Sequence, residues 1–281
     1  MLGGIGEVLG GALDRLVDDE IRTRVARLDL PANEIGYDRW GASPRDLARM
    51  LALVRILYRR YFRVVTTGLE HIPPGRVLLV GNHSGQLAYD GMMVCTALAL
   101  EAEPPRFVRT MIERFFAQTA YVSVLMARMG QLTGIPENAE RLLEEEEAPV
   151  LVFPEGERGG GRVWKDRYRI MGFGQGFLRL AMRTGTPIVP FGFVGGEEMV
   201  PSFSRMEPLA RLLGTPYLPL TPTVLPLPLP TKVHLSFGPP MRFEGTGLEE
   251  DDRILPAVRS VEGAVKALID QGLERRKGIF F

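Results

Sequence analysis

The chain has 281 residues, and 45% of them are apolar, which is enough to bury the core of one large domain. Its 34 basic and 34 acidic residues cancel, so the overall charge excludes a general attraction to nucleic acid. The single cysteine, Cys95, excludes an intrachain disulfide and favours a reducing compartment.

The first predicted element is a pair of amphipathic helices within residues 1–61. In one, from Leu2 to Leu28, apolar residues recur at helical spacing with Asp and Arg between them. The other runs from about Pro44 to Tyr61, with Ser43 as its cap and an arginine-rich outer face. Amphipathicity leaves two interpretations open, because such helices pack on a core or rest in a membrane interface.

From Phe62 onward, strands and helices alternate. This pattern predicts an α/β fold in residues 62–281, with a mixed, mostly parallel sheet flanked by helices. A leucine- and proline-rich stretch with little charge interrupts it at residues 206–230. The predicted strands are Phe62–Thr66, Val77–Val80, Arg106–Arg109, Gly130–Thr133, Val150–Phe153, Pro187–Val194 and Lys232–Phe237, and the predicted helices are Asp90–Leu100, Glu113–Met126, Pro136–Glu146, Gln175–Thr184 and Leu248–Arg275.

No segment is predicted to span a membrane. We find no window of about eighteen uninterrupted apolar residues, and the first residues lack the basic start and compact apolar centre of a secretory signal. We therefore expect a chain that faces the cytosol. If it contacts a membrane, we expect it to lie on the cytoplasmic surface as a peripheral protein.

The segment from Asn82 to Asp90 follows the apolar strand Val77–Val80. A histidine at a strand end with a carboxylate nearby has the makings of a general base and its orienting group. In a continuous helix the α-carbons of His83 and Asp90 would lie roughly 10 Å apart, so the segment must turn, and Ser84 and Gly85 suit a turn. The alternative is a structural histidine and a helix-capping aspartate.

A second polar turn, Pro154-Glu155-Gly156-Glu157-Arg158, follows the strand Val150–Phe153. Ligands bind at the carboxyl ends of neighbouring strands in open α/β sheets, so we expect this turn to share a cleft with His83. Five cations lie within the twelve residues 158–169, and such a cluster suits a phosphate-bearing ligand. The alternative is a solvated loop. The five are Arg158, Arg162, Lys165, Arg167 and Arg169.

These motifs resemble those of the glycerolipid and lysophospholipid acyltransferase family. Asn82, His83 and Asp90 match its Asn-His-Asp block, and Phe153, Pro154, Glu155, Gly156 and Arg158 match its Phe-Pro-Glu-Gly-x-Arg block. Gly130-Gln131-Leu132 and Ile188-Val189-Pro190-Phe191 occupy the places of two further blocks, although the first of these lacks its usual arginine. Six residues separate His83 from Asp90, a longer interval that resembles the branch near monoacylglycerol and diacylglycerol acyltransferases.

The resemblance implies acyl transfer from acyl-CoA or an acyl carrier protein, as co-substrate, to a hydroxyl of a glycerol-based lipid. It implies His83 as general base and Asp90 as its partner, with no cofactor or metal required. The preferred acceptor is a lysophospholipid or lysophosphatidic acid, and the alternative is a mono- or diacylglycerol. The residues expected to bind or shape the substrates are Asn82, Ser84, Gly85, Phe153, Pro154, Glu155, Gly156, Arg158, Lys165 and Arg167.

Two other classes of function remain open at this point. Ser84 beside His83 suggests a serine hydrolase, but adjacent residues on a turn rarely align as nucleophile and base, and no G-x-S-x-G elbow is present. A non-catalytic lipid-binding module would use the same cleft without turnover. The segment Gly195-Gly196-Glu197-Glu198 is a further polar feature to which the sequence assigns no role.

Overall fold

A computed structural model of the chain describes residues 10–28, 30–84, 88–114, 118–203 and 227–281. Within these ranges seven strands form one sheet. The strands are β1 (Val65–Thr67), β2 (Val77–Gly81), β3 (Arg109–Ile112), β4 (Gln131–Thr133), β5 (Pro149–Val152), β6 (Ile188–Val194) and β7 (His234–Phe237). The helices are α1 (Asp19–Ala26), α2 (Pro44–Ile56), α3 (Tyr89–Leu100), α4 (Val122–Arg128), α5 (Pro136–Glu144), α6 (Glu157–Gly160), α7 (Gly176–Thr184), α8 (Gly196–Met199) and α9 (Asp251–Arg275).

The strand order is β1-β7-β6-β2-β5-β3-β4. Only the pairing of β6 with β7 is antiparallel among the described strands, and the other pairs are parallel. The predicted α/β fold with a mixed, mostly parallel sheet is therefore confirmed. Strand β2 lies between β6 and β5, and all of its residues are buried. Its carboxyl end therefore lies near the centre of the edge that the carboxyl ends of the parallel strands form, where ligands bind in this architecture.

Helices cover both faces of the sheet, as a parallel sheet requires. On one face, Leu79 packs in a core with Tyr58, Met93 and Phe191. On the other face, Leu78 packs in a second core that includes residues of α5, α7 and α9. Adjacent residues of β2 thus point into opposite layers, because side chains alternate along a strand.

The predicted continuous helix from Leu2 to Leu28 is wrong in its described part. Residues 10–14 are helical, the chain then turns, and α1 begins at Asp19. The cause is Asp18, whose carboxylate accepts a hydrogen bond from the Ile21 amide at 3.1 Å and so caps a new helix. Residues 1–9 lie outside the described ranges.

Other predicted elements also have different bounds in the structure, and β1 begins at Val65 rather than at Phe62. The helix from Pro44 is α-helical to Ile56 and ends as a π-helical turn over Leu57–Tyr61. Strand β3 covers Arg109–Ile112 rather than Arg106–Arg109, because the Arg106 amide and side chain bond to carbonyls of Leu98, Pro73 and Gly75 instead of to a strand. Residues 114 and 118 are helical, as expected of the helix from Glu113, but residues 119–121 do not continue it and α4 begins at Val122. Residues 115–117 of that predicted helix, and residues 206–226 of the leucine- and proline-rich stretch, lie outside the described ranges.

The first two helices pack on the rest of the fold. Ile21 and Leu51 lie in a buried cluster with Ala99 of α3, so residues on both sides of the proposed boundary at residue 61 share a core. On the outer face of α2, Leu53 and Ile56 are 39% and 44% exposed. No helix in the described part of the chain is long and apolar enough to cross a membrane.

Candidate active site

Asn82 fixes the end of β2 against β6. Its Nδ2 donates to the Phe193 carbonyl at 2.9 Å, and its Oδ1 accepts from the Phe193 amide at 2.8 Å. The side chain replaces a backbone pairing one residue beyond the strand, and Asn82 is only 1% exposed. The next residue, His83, therefore leaves the sheet at a fixed point.

His83 and Asp90 are in contact, as the sequence predicts. The Nδ1 of His83 lies 2.7 Å from Oδ2 of Asp90, which is fully buried in the first turn of α3. The same carboxylate accepts the amides of Ser84 and Gly91, each at 2.7 Å. Asp90 thus contacts the ring of His83 and the main chain of Ser84 and Gly91. Gly85 lies outside the described residues.

The environment of the His83 ring favours a base at Nε2. The ring stacks on Phe153, with centroids 4.5 Å apart, and the side chain is 14% exposed. Because Nδ1 donates to Asp90, the neutral ring presents its lone pair at Nε2. Burial lowers the pKa of His83, but the charge and hydrogen bond of Asp90, with smaller effects from Glu113 and Glu155, outweigh it and raise the pKa above its ordinary value.

Glu155 also lies beside His83, as expected for a shared cleft. Its Oε1 accepts the His83 amide at 3.1 Å, and its Oε2 accepts the Met171 amide at 2.6 Å and pairs with Arg162. Glu155 is 2% exposed. Gly159 makes this close approach feasible, because a Cβ there would lie only 2.7 Å from Cβ of Glu155 and 3.0 Å from Cβ of His83. Glu155 therefore holds the His83 main chain.

The five cations after Pro154 do not form one cluster, which corrects that part of the sequence prediction. Arg162 is 4% exposed and bonds to Glu155, to Glu197 at 2.7 Å and to the His83 carbonyl at 3.3 Å. Burial of its guanidinium is balanced by these carboxylates. The other four cations, Arg158, Lys165, Arg167 and Arg169, are exposed.

The exposed cations are held only lightly. Arg158 donates to the Gly172 carbonyl at 3.0 Å, and Arg167 lies over the Trp164 ring at 4.8 Å. They remain on the surface that follows the Glu155 turn, where they are able to meet an anionic group.

The remaining predicted residues line the same turns. The Pro154 carbonyl accepts a hydrogen bond from the Gly174 amide at 2.9 Å. Gly156 adopts a positive φ of 54°, a conformation that suits glycine. Ser84 is 1% exposed, and its Oγ has no hydrogen-bond partner among the described residues. Since that hydroxyl is not bonded to His83, the geometry gives no support to a serine hydrolase.

Comparison with known proteins decides the family. A family model described as Acyltransferase matches residues 63–194, a span that contains both the His83 and the Glu155 turns. An uncharacterized protein of Mycobacterium tuberculosis is 33% identical over 261 residues, covering 88% of this chain and 72% of the relative. An uncharacterized protein of Mycobacterium leprae is 32% identical over 257 residues, covering 87% and 70%. The chain belongs to the acyltransferase family.

The fold of this acyltransferase is also found in a solved structure. The 1-acyl-sn-glycerophosphate acyltransferase PlsC from Thermotoga maritima matches it with a TM-score of 0.52 and 19% identity over 82% of each chain. This similarity concerns the fold alone. The family model confirms the prediction, made from the two motifs, that the chain belongs to the acyltransferase family.

Sequence reasoning missed the role of an acidic pair in this acyltransferase. Glu197 and Glu198 follow β6 and are 6% and 2% exposed. Glu198 accepts the Tyr168 hydroxyl and, at 2.9 Å, a guanidinium N–H of Arg276. Burial raises the pKa of Glu197 to about 7, against the opposing charge of Arg162 and with a further increase from Glu198. The sequence feature that could have indicated this buried pair is the presence of two adjacent carboxylates shortly after a wholly apolar strand.

An apolar cavity of about 690 Å³ opens beside Pro154 in this acyltransferase. Its lining comes from β3, the residues between β4 and α5, the end of β5, α5, α7 and residues 247–251, and it reaches Pro154 but does not include His83 or Asp90. Its charged lining residues are Arg179, Arg183, Glu249, Glu250 and Asp251. Five of its apolar residues are Ile135, Val152, Phe177, Leu180 and Leu248.

Proposed function

We propose that this protein transfers an acyl group from an acyl thioester to a hydroxyl of a glycerol-based lipid. The observation that carries the proposal is the 2.7 Å contact of His83 with buried Asp90 at the sheet edge. Nε2 of His83 takes the hydroxyl proton while the acceptor oxygen attacks the thioester carbonyl, and Asp90 stabilises the resulting imidazolium. The thiolate then leaves and takes the proton from the His83 imidazolium, which restores the neutral base. No covalent enzyme intermediate is needed, because the acceptor hydroxyl is itself the nucleophile.

The donor in this proposal is acyl-CoA or an acyl carrier protein. The apolar cavity beside Pro154 supports a long-chain substrate, because its volume of about 690 Å³ is within the usual range for ligand pockets. Exposed Leu53 and Ile56 on α2 support contact with the cytoplasmic surface of a membrane, where the protein would meet a lipid acceptor.

The acceptor we propose first is a lysophospholipid or lysophosphatidic acid. Its phosphate would meet the exposed cations Arg158, Lys165 and Arg167, which follow the Glu155 turn. Guanidinium groups bind phosphate in a bidentate manner, so Arg158 is the first candidate among them.

A neutral mono- or diacylglycerol is the second candidate, and the charges around His83 favour it. Arg162, which contacts the His83 carbonyl, is already bonded to Glu155 and Glu197. The negative charges of Glu113 and Glu155 also act on the His83 ring. Such surroundings repel a phosphate close to the base but do not affect a neutral alcohol.

An assay with a radiolabelled acyl thioester tests these proposals. We expect the full-length protein to acylate one class among lysophosphatidic acid, other lysophospholipids, monoacylglycerol and diacylglycerol, and Arg158→Ala to raise KM only for a phosphorylated acceptor. Equal KM values in Arg158→Ala and wild type with a phosphorylated acceptor contradict the role of Arg158. Vesicle binding without acyl transfer to any acceptor contradicts the enzyme proposal and favours a lipid-binding module.

A further inference from the structure

The peptide groups on both sides of the His83 α-carbon are held by charged side chains. The His83 amide donates to Oε1 of Glu155 at 3.1 Å, and the His83 carbonyl accepts from Nη1 of Arg162 at 3.3 Å. Glu155 and Arg162 are bonded to each other. These three contacts form a clamp around the main chain that carries the imidazole, so they limit its movement relative to Asp90.

Glu197 holds the clamp from the side of β6. Its Oε1 accepts at 2.7 Å from the same Nη1 atom of Arg162 that reaches the His83 carbonyl, and at 3.3 Å from the Tyr168 amide. The side chains of Arg162 and Glu197 are only 1% and 5% exposed. Water therefore does not replace Glu197 as an acceptor without rearrangement, and the position of Nη1 depends on this carboxyl group.

A second contact ties the same turn to the His83 segment. A Cβ added at Gly196 would lie 2.2 Å from Oγ of Ser84, so the backbone that carries Glu197 packs directly on the residue after His83. On its other side, Glu198 is anchored to Tyr168 and Arg276. The Gly195-Gly196-Glu197-Glu198 segment is thus fixed at both ends.

We propose that Glu197 is a positioning residue for the His83 base and acts through Arg162. It does not touch the reacting atoms. Without its Oε1, Nη1 of Arg162 loses its shorter described hydrogen bond, and the guanidinium turns toward Glu155 and away from the His83 carbonyl. The inference rests on the proposed acyl transfer, in which His83 is the base, but its structural part is measurable without turnover.

Two substitutions at position 197 separate the hydrogen bond from the charge. Glu197→Gln keeps an oxygen acceptor for Arg162, whereas Glu197→Ala removes it, and both remove the charge. We expect kcat of Glu197→Gln to stay within about 3-fold of wild type and kcat of Glu197→Ala to fall about 10- to 100-fold with little change in KM, since misplacing a catalytic group by about 1 Å costs up to about 100-fold. Equal kcat values for Glu197→Ala and wild type overturn the proposal.

Nuclear magnetic resonance of the histidine-labelled, full-length protein gives a readout independent of activity. The Nδ1–H signal of His83, assigned from its absence in His83→Ala, reports the contact with Asp90. We expect it to shift in Glu197→Ala and to stay near the wild-type position in Glu197→Gln. Asp38→Ala is the matched control, because it removes the carboxylate of a buried pair with Arg109 at the amino-terminal end of β3, and we expect no shift in it.

The remaining outcomes are also decisive. An unshifted signal in Glu197→Ala, with a loss of kcat no greater than in Asp38→Ala, reduces Glu197 to a structural role and overturns the proposal. If Glu197→Ala does not fold, Arg162→Lys replaces it, because lysine lacks the forked donors, and an unshifted signal there overturns the proposal equally. If the wild-type protein transfers no acyl group, the proposed function fails, and the signal alone decides the positioning role.

Discussion

The side chain of Asn82 is bonded to the main chain of Phe193 through both of its polar atoms, at 2.9 and 2.8 Å. These bonds continue the contact between β2 and β6 beyond the register pair Gly81 and Phe191. They determine where the chain leaves the sheet, and so they determine where the imidazole of His83 begins.

Asn82→Ala tests this anchoring. It leaves a buried amide and a buried carbonyl of Phe193 without partners, and each such group costs about 1–3 kcal/mol. We expect the free energy of unfolding to fall by about 2–4 kcal/mol in urea titrations. Asn138→Ala is the control, because Asn138 makes a single partly buried bond, to the Thr133 carbonyl at 3.1 Å. Equal losses in the two variants contradict the anchoring role.

His83→Ala tests the base. General-base catalysis contributes about 10²- to 10⁴-fold, so we expect kcat for acyl transfer to fall by that factor while binding to lipid vesicles is retained. His71→Ala is a matched control, since His71 also bonds through Nδ1, to the Phe237 carbonyl at 2.9 Å, and we expect its rate to stay within about 3-fold. A wild-type rate in His83→Ala excludes the mechanism.

The pH dependence of the rate follows from the His83–Asp90 pair. The base must be neutral, and its pKa is raised above 6.5 because Asp90 outweighs the effect of burial. We expect kcat/KM to rise with pH with a midpoint above 6.5. Asp90→Asn removes the charge but not the burial, so its midpoint moves to lower pH while its maximal rate falls. A midpoint that stays in place or rises contradicts the pairing.

Glu197 gives the folded state a different pH dependence. Burial raises its pKa to about 7 from 4.5, so the folded state binds this proton more tightly than the unfolded state does. Stability therefore falls as pH rises between these values. Glutamine at position 197 does not titrate. We therefore expect the difference in unfolding free energy, Glu197→Gln minus wild type, to increase by about 3 kcal/mol between pH 4.5 and pH 8, as measured by urea titration. Parallel pH curves contradict this.

Gly81 tests how closely the site is packed. A Cβ at position 81 would lie 2.3 Å from the Phe191 ring, whereas one at Gly91 would lie 3.5 Å from the Phe153 ring, an ordinary contact. We expect Gly81→Ala to destabilise the fold by about 1–3 kcal/mol. The matched control, Gly91→Ala at the start of α3, is expected to be neutral or to stabilise by up to about 1 kcal/mol. Thermal unfolding of both variants distinguishes these outcomes.

The pattern of amino acids predicts the sheet, most of its helices and the contact of His83 with Asp90. Strands such as β2 are local apolar runs, and helices such as α7 follow from periodicity. The turn before Asp90 followed from chain geometry, because a helix would separate the two groups by roughly 10 Å. Strand β3 and α1 were misplaced because local composition does not reveal that Arg106 bonds to distant carbonyls or that Asp18 restarts a helix.

The tertiary structure determines which charges around the site are paired and which are solvated. The local sequence around Arg162 does not distinguish it from the exposed cations nearby. In the structure it is buried between Glu155 and Glu197, and Glu197 lies 35 residues away along the chain. The His83 amide and Glu155 are separated by 72 residues. These groups meet because β5 and β6 flank β2 and end at one edge of the sheet. Whether a charge is solvated or paired depends on such long-range packing, which no local pattern contains.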